Sequence, residues 1–187
     1  MILYIHGFAS SSYSTKKLLL DQHYDDTIIT MDLACEPLEA IRELKTLIEQ
    51  YKDENLMLVG SSLGGFYALH LTQTFDLPVV LINPSMRPFE TLARFSDSEV
   101  ANYSMEKSCF FKADYVKQLK AINITPRDQK KVLLLLQTAD ENLDYKVALS
   151  LLPEAEPIVQ EGGSHAFEDF PTVMPAMKAF YTKKFKL

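Results

Sequence analysis

Three unbroken apolar runs, Leu56-Met-Leu-Val, Val79-Val-Leu-Ile and Val132-Leu-Leu-Leu-Leu, most constrain what this chain can fold into. A strand that is apolar on both faces needs cover on both faces, which is the situation of a parallel strand flanked by crossover helices. With weaker runs added, strands are expected at 2–5, 27–31, 56–59, 79–82, 132–137 and 157–160. Helix-period segments alternate with them, the signature of a parallel α/β sheet. In the 39–49 segment, Ile41, Leu44, Leu47 and Ile48 share one face with charges opposite. Further helical patterns stand at 63–74, 144–152 and 168–185. The expectation is a six-stranded, mainly parallel sheet in the order 2-1-3-4-5-6, with helices on both faces.

The rhythm breaks once. Residues 86–127 form an insertion of roughly 40 residues, far longer than a simple crossover, and such insertions often serve as lids or binding loops. It carries Phe89, Phe95, Tyr103, Phe110, Phe111 and Tyr115, enough to pack an apolar surface of its own. The 187 residues suit one core. A single domain, 1–187, with a short helical cap at 86–127 is therefore expected.

Composition narrows the function. A formal charge of −6 leaves no basic face for a nucleic-acid backbone. Lys183, Lys184 and Lys186 suit the end of a last helix instead. No apolar stretch approaches the ~20 residues that span a bilayer. Residues 1–5 are apolar and then meet His6-Gly7, unlike a signal peptide, so a cytoplasmic protein is expected. Cys35 and Cys109 are too few for a disulfide framework; one bridge between them stays open, with two buried or reduced thiols the expected reading. No Cys/His cluster points to a metal, and no cofactor is expected.

The chemistry concentrates in Gly60-Ser61-Ser62-Leu63-Gly64-Gly65, a G-x-S-x-G pattern between an apolar strand and an apolar helix. Small residues two before and two after a serine let the backbone close a tight turn that presents the hydroxyl. The helix start beyond it favours a developing negative charge. Ser62 is the candidate nucleophile; Ser61 is expected to be buried in the turn. A serine needs a base, and His165, in a loop directly after the last strand, is best placed. His23 and His70 read as surface or packing residues, and His6 as a residue ordering its loop. The acid should fall between serine and histidine in the chain. Asp140 stands just past the fifth strand. Asp144 is second, since it suits the N-cap of the next helix, and Glu141 reads as solvated. Oxyanion donors are expected from the backbone N–H groups of Leu63 and Phe8, with Gly7 allowing close approach.

With these residues in view, the chain resembles the YqiA-type (UPF0227-like) esterases, small bacterial members of the α/β-hydrolase superfamily. The likeness spans nearly the whole length: Leu3-Tyr-Ile-His-Gly-Phe, Gly60-Ser-Ser-Leu-Gly-Gly, Leu81-Ile-Asn-Pro-Ser-Met-Arg-Pro, Asp140-Glu-Asn-Leu-Asp-Tyr and Glu161-Gly-Gly-Ser-His-Ala-Phe. It implies hydrolysis of carboxylic esters, with acyl-CoA thioesters also plausible. The cap departs from the pattern.

The expected function is therefore a serine esterase acting on a small-molecule ester of short to medium acyl length through an acyl-enzyme. A thioesterase on the same triad is the first alternative. A lyase or peroxidase, or a non-catalytic binding protein, on the same scaffold follow. Substrate contacts are expected from Met86, Arg87, Phe89, Phe110 and Phe111.

Overall fold

The apolar runs become strands buried on both sides. In the computed structural model, which describes residues 1–25, 27–102, 107–124 and 128–186, β1 (Ile2–Ile5), β3 (Met57–Ser61), β4 (Val79–Ile82) and β7 (Val132–Gln137) are buried along their whole length. They are the interior of a six-stranded parallel sheet ordered β2-β1-β3-β4-β7-β8, the order expected from sequence. Its edges are weaker: β2 (Ile28–Ile29) is two residues long, and β8 (Glu156–Gln160) carries Pro157, which an edge strand tolerates.

Alternate strand residues feed opposite layers. Leu3, Leu58, Leu81 and Leu134 pack under α2 (Pro37–Gln50), α3 (Leu63–Leu71) and α6 (Tyr145–Leu151). Ile2, Met57, Val80 and Leu133 pack under α1 (Thr15–His23) and α7 (Met174–Phe185). Each fully buried aliphatic side chain contributes about 1.5–3 kcal/mol. Helix α2 buries Ile41, Leu44 and Ile48 as its period predicted, with Leu47 at the margin.

Two helical expectations change. Helix α1 was not foreseen because Leu20 is its only fully buried residue, so it shows no periodic stripe. The 168–185 segment divides into a 3₁₀ turn at Phe170–Val173 and then α7, because Asp169 adopts φ 52° and prolines open both pieces. In the last turn of α7, Lys183 pairs with Glu156 and Lys184 bonds the Lys130 carbonyl, so these lysines tie the helix down.

The insertion contains α4 (Pro88–Thr91), a 3₁₀ turn at Ala93–Phe95, β5 (Ser98–Asn102), β6 (Lys107–Phe111) and α5 (Ala113–Ala121). Beside the expected helices stands an antiparallel β5–β6 hairpin. Its first strand, Ser-Glu-Val-Ala-Asn, has no strand-like composition, which is why sequence did not reveal it. Tyr103 and Arg127 lie outside the described residues. Phe111, Tyr115, Leu119 and Ile122 join the core beneath α2 and α3. Gln118 fastens α5 to α2 through Glu36 at 2.9 Å and the Leu38 N–H at 3.2 Å.

The cysteine expectation is overturned. Cys35 and Cys109 form a disulfide, with Cα atoms 6.0 Å apart across 74 residues of sequence. Strand β6 carries Cys109 to the loop before α2, a proximity created only when the insertion docks. Disulfides persist in oxidising surroundings, so the cysteines no longer argue for a reducing cytoplasm. Among the described residues, no helix is long and apolar enough to cross a membrane.

Candidate active site

Strand β3 ends in a turn that only this residue pattern permits. Ser62 adopts φ 54° and ψ −119°, a strained conformation for a residue with a side chain. A Cβ on Gly60 would stand 2.4 Å from the Gly64 carbonyl oxygen, and one on Gly64 would stand 2.1 Å from that of Ile5. The two glycines thus let β3, α3 and β1 close around the elbow, and Ser61 is buried in it as expected.

The Ser62 hydroxyl lies 3.0 Å from His165 Nε2 and can donate to it. On the far side of the ring, Nδ1 lies 2.8 Å and 3.0 Å from the two carboxylate oxygens of Asp140. The Asp140 side chain is only 2 % exposed, and its Oδ1 also accepts the N–H groups of Asn142 and Leu143 at 2.9 Å. A carboxylate so placed fixes the imidazole as Nδ1–H and leaves Nε2 to receive the serine proton. Asp144 instead caps α6, accepting the Lys146 N–H at 3.0 Å. The structure therefore gathers Ser62, His165 and Asp140, and leaves Asp144 aside.

The loop bearing His165 has few hydrogen bonds of its own and is held from outside. Asn83, at the end of β4, donates to the carbonyls of Ser164 and His165 at 3.0 and 3.3 Å. Its Oδ1 accepts the Gln137 N–H at 3.0 Å. The buried Gln137 amide accepts from the Ser164 and Glu168 N–H groups and donates to the Glu168 carbonyl and Gln160. It lies so close under Gly163, at φ 76°, that a Cβ there would meet Gln137 Oε1 at 2.1 Å. Glu141 is exposed, as expected, yet it accepts the His165 N–H at 2.9 Å, and that bond holds its carboxyl below the usual range. Asn83, Gln137 and Glu141 received no site role from sequence. The available signal was a polar residue closing each of two wholly apolar strand runs.

The oxyanion candidates flank the serine. Leu63 opens α3, so its N–H has no acceptor one turn back within the helix. Gly7 packs against Ser62, where an added Cβ would lie 3.1 Å from the Ser62 Cβ, and so brings Phe8 alongside. His6 orders this loop: Nε2 accepts the Leu33 N–H at 3.2 Å while Nδ1 lies 2.8 Å from the Gly7 carbonyl. Burial pushes its pKa down. His23 bonds Leu19 and His70 bonds Ile122, both packing roles.

Two clefts meet at Ser62 and His165. One, of about 230 Å³, faces the insertion and is walled by Phe8, Leu92, Phe95, Val100 and Leu143. The other, of about 570 Å³, faces α1 and includes Tyr4, Ser14 and Lys16. None of the five expected substrate contacts lines either cleft. Met86 and Arg87 line a separate groove with Asn123 and Leu152, and Arg87 stands 3.8 Å from Glu90. Phe89 is half-buried against the core, and Phe110 is 54 % exposed on the outside of β6. Phe111 is buried, and its ring supports that of Phe8 at 5.3 Å. The hairpin explains the error: pairing in β5–β6 turns Phe110 outward and Phe111 into the core, while Val100 reaches the cleft.

The comparisons with known proteins agree with this architecture. The UPF0227 protein of Vibrio parahaemolyticus is 28 % identical over 96 % of this chain and 98 % of its own length. The UPF0227 protein YcfP of Salmonella gallinarum is 24 % identical over 97 % of this chain and 99 % of its own. Among solved structures, a putative hydrolase from Agrobacterium vitis superposes with a TM-score of 0.76 at 19 % identity, over 96 % of this chain and 87 % of that one. Est1E from Butyrivibrio proteoclasticus, in its complex with ferulic acid, gives 0.73 at 16 % identity, over 100 % and 89 %. These likenesses establish an α/β-hydrolase fold. The sequence signature described as "Uncharacterised protein family (UPF0227)" matches residues 1–182, and this chain belongs to that family.

Proposed function

We propose that the protein is a serine esterase that hydrolyses carboxylic esters of short to medium acyl length. The observation that carries this reading is the continuous relay from Ser62 Oγ through His165 to the buried Asp140, at 3.0 and 2.8 Å, on a strained elbow. The family's hydrolase-like fold, with esterases and lipases among its structural neighbours, supports the same chemistry.

In the first step Ser62 Oγ attacks the ester carbonyl as its proton passes to His165 Nε2, and Asp140 stabilises the imidazolium through Nδ1–H. The N–H groups of Leu63 and Phe8 hold the tetrahedral oxyanion; one such donor is worth about 10²–10³ in rate. His165 then protonates the leaving alcohol. Water then attacks the acyl carbonyl as His165 takes its proton, and His165 returns that proton to Ser62 Oγ as the bond to the acyl group breaks and the acid leaves. The insertion acts as a cap, and its cleft of about 230 Å³ limits the apolar group to modest size.

Purified protein should hydrolyse p-nitrophenyl butyrate and be labelled covalently by a fluorophosphonate. Ser62→Ala should abolish both, and retained turnover would end the proposal. Asp140→Asn should lower kcat by orders of magnitude, whereas Asp144→Asn, which keeps a capping oxygen for the Lys146 N–H, should leave kcat and stability near wild type.

A further inference from the structure

The two clefts at Ser62 differ in chemistry. The cap-side cleft combines Phe8, Leu92, Phe95, Val100 and Leu143 with Thr91, Asn142 and Arg94, whose guanidinium lies 4.9 Å over the Phe95 ring, whereas the α1-side cleft brings Tyr4, Ser14 and Lys16 to the same serine. Lys16 is half-buried, and its ammonium donates to the Ala166 carbonyl at 2.6 Å, one residue beyond His165. Among the described residues it forms no ion pair. Among the described carboxylates, Asp140 is the one that acts on it, and Asp140 is already committed to His165 and two backbone N–H groups. Asp169 also lines the cleft but is exposed and unpaired with Lys16. Tyr4, whose phenol burial pushes up to about 12, remains a neutral hydrogen-bonding neighbour.

A desolvated cation without a counter-charge is costly, and burial pushes the Lys16 ammonium down to about 8. The N-terminus of the nine-residue α1 adds positive potential to the same wall. A structural tie to one carbonyl could be made by a neutral donor at less cost. A cation that opens onto the reacting centre is suited to an arriving anion.

We infer that the ester substrate carries an anionic group, a carboxylate or a phosphate, which Lys16 receives in the α1-side cleft while the uncharged part lies in the cap-side cleft. This rests on the esterase reading above. Lys16 is then a specificity residue: when the anion binds, its ammonium gains a charge-assisted hydrogen bond and a counter-charge that offsets the cost of its desolvation.

The test compares matched esters on the full-length protein. On the alcohol side, the butyrate ester of 4-hydroxyphenylacetate is paired with that of the corresponding amide. On the acyl side, p-nitrophenyl hemiglutarate is paired with p-nitrophenyl pentanoate. In one pair the anionic ester should have kcat/KM at least about tenfold above its neutral partner. Lys16→Gln should bring that ratio near one, chiefly through KM, and Lys16→Arg should restore most of it. Inorganic phosphate and acetate, as inhibitors of neutral-ester turnover, tell the two anions apart. Ratios near one in both pairs for the wild type would overturn the inference. So would a Lys16→Gln variant that slows anionic and neutral esters by the same factor, since Lys16 would then only hold the Ala166 carbonyl. Neutral-ester turnover without anionic preference sinks this inference alone; no turnover of any ester sinks the esterase reading with it.

Discussion

Replacing Gln137 with methionine should loosen the loop that carries His165 without changing side-chain volume much. Gln137 is 3 % exposed and lies at the end of β7, beneath residues 162–168. Its Oε1 accepts the N–H groups of Ser164 at 3.0 Å and Glu168 at 2.9 Å; its Nε2 donates to Gln160 at 2.9 Å and the Glu168 carbonyl at 2.8 Å. Methionine serves none of the four. The two orphaned N–H groups dominate the cost, at about 1–3 kcal/mol each when buried. Ser164 is half-buried and Glu168 exposed, so water recovers part of it. A net loss of about 2–3 kcal/mol follows, or roughly 4–12 °C in Tm for a chain of this size. Catalysis should suffer separately, because a displacement of about 1 Å in a reacting group can cost 10²-fold. The expected kcat on p-nitrophenyl butyrate at 25 °C is therefore down about 10- to 100-fold, with KM changed less. Gln137→Glu is the informative companion. It keeps an acceptor for both N–H groups but sets a carboxylate oxygen against Gln160 Oε1 and the Glu168 carbonyl. A Gln137→Met protein with wild-type Tm and kcat would refute the reasoning. A lowered Tm with unchanged kcat would refute its catalytic half, leaving Asn83 and Glu141 as sufficient anchors.

Two further outcomes follow from the fold. Closing a 74-residue loop by the Cys35–Cys109 bridge restricts the unfolded chain by about 4 kcal/mol in the chain-entropy treatment, so dithiothreitol or Cys35→Ser should lower Tm by several degrees or more. An unmoved Tm, or two titratable thiols in the denatured unreduced protein, would show the bridge is not formed. His6 and His70 are both held below the ordinary imidazole pKa, chiefly by burial. The unfolded chain therefore takes up protons near pH 6.5 that the folded one refuses, and stability present above that pH is lost as pH falls through it. Urea midpoints at pH 7 and pH 5 should show this decline. His6→Asn should flatten it, and an equal slope in that variant would clear His6 of the effect.

Much of the candidate site was legible because its constraints are local. The elbow needs Gly60 and Gly64 within a few residues of Ser62, and the alternation of wholly apolar runs with helices places strand ends together. Asp140 followed once Asp144 had a helix to cap. The substrate walls were illegible for the opposite reason. Whether Phe110 or Val100 faces the cleft depends on the register of a hairpin whose first strand is mostly polar.

The sequence by itself determined the sheet, its order and the three residues of the relay, since each rests on short-range pattern and chain order. Tertiary structure alone decided what surrounds them: the amides of Asn83 and Gln137 under the histidine loop, the disulfide, the two unlike clefts, and Lys16 on one of them. These depend on residues 27 to 150 positions apart meeting in space. Such meetings are fixed by packing and by the need to satisfy buried polar groups, and no local periodicity records them.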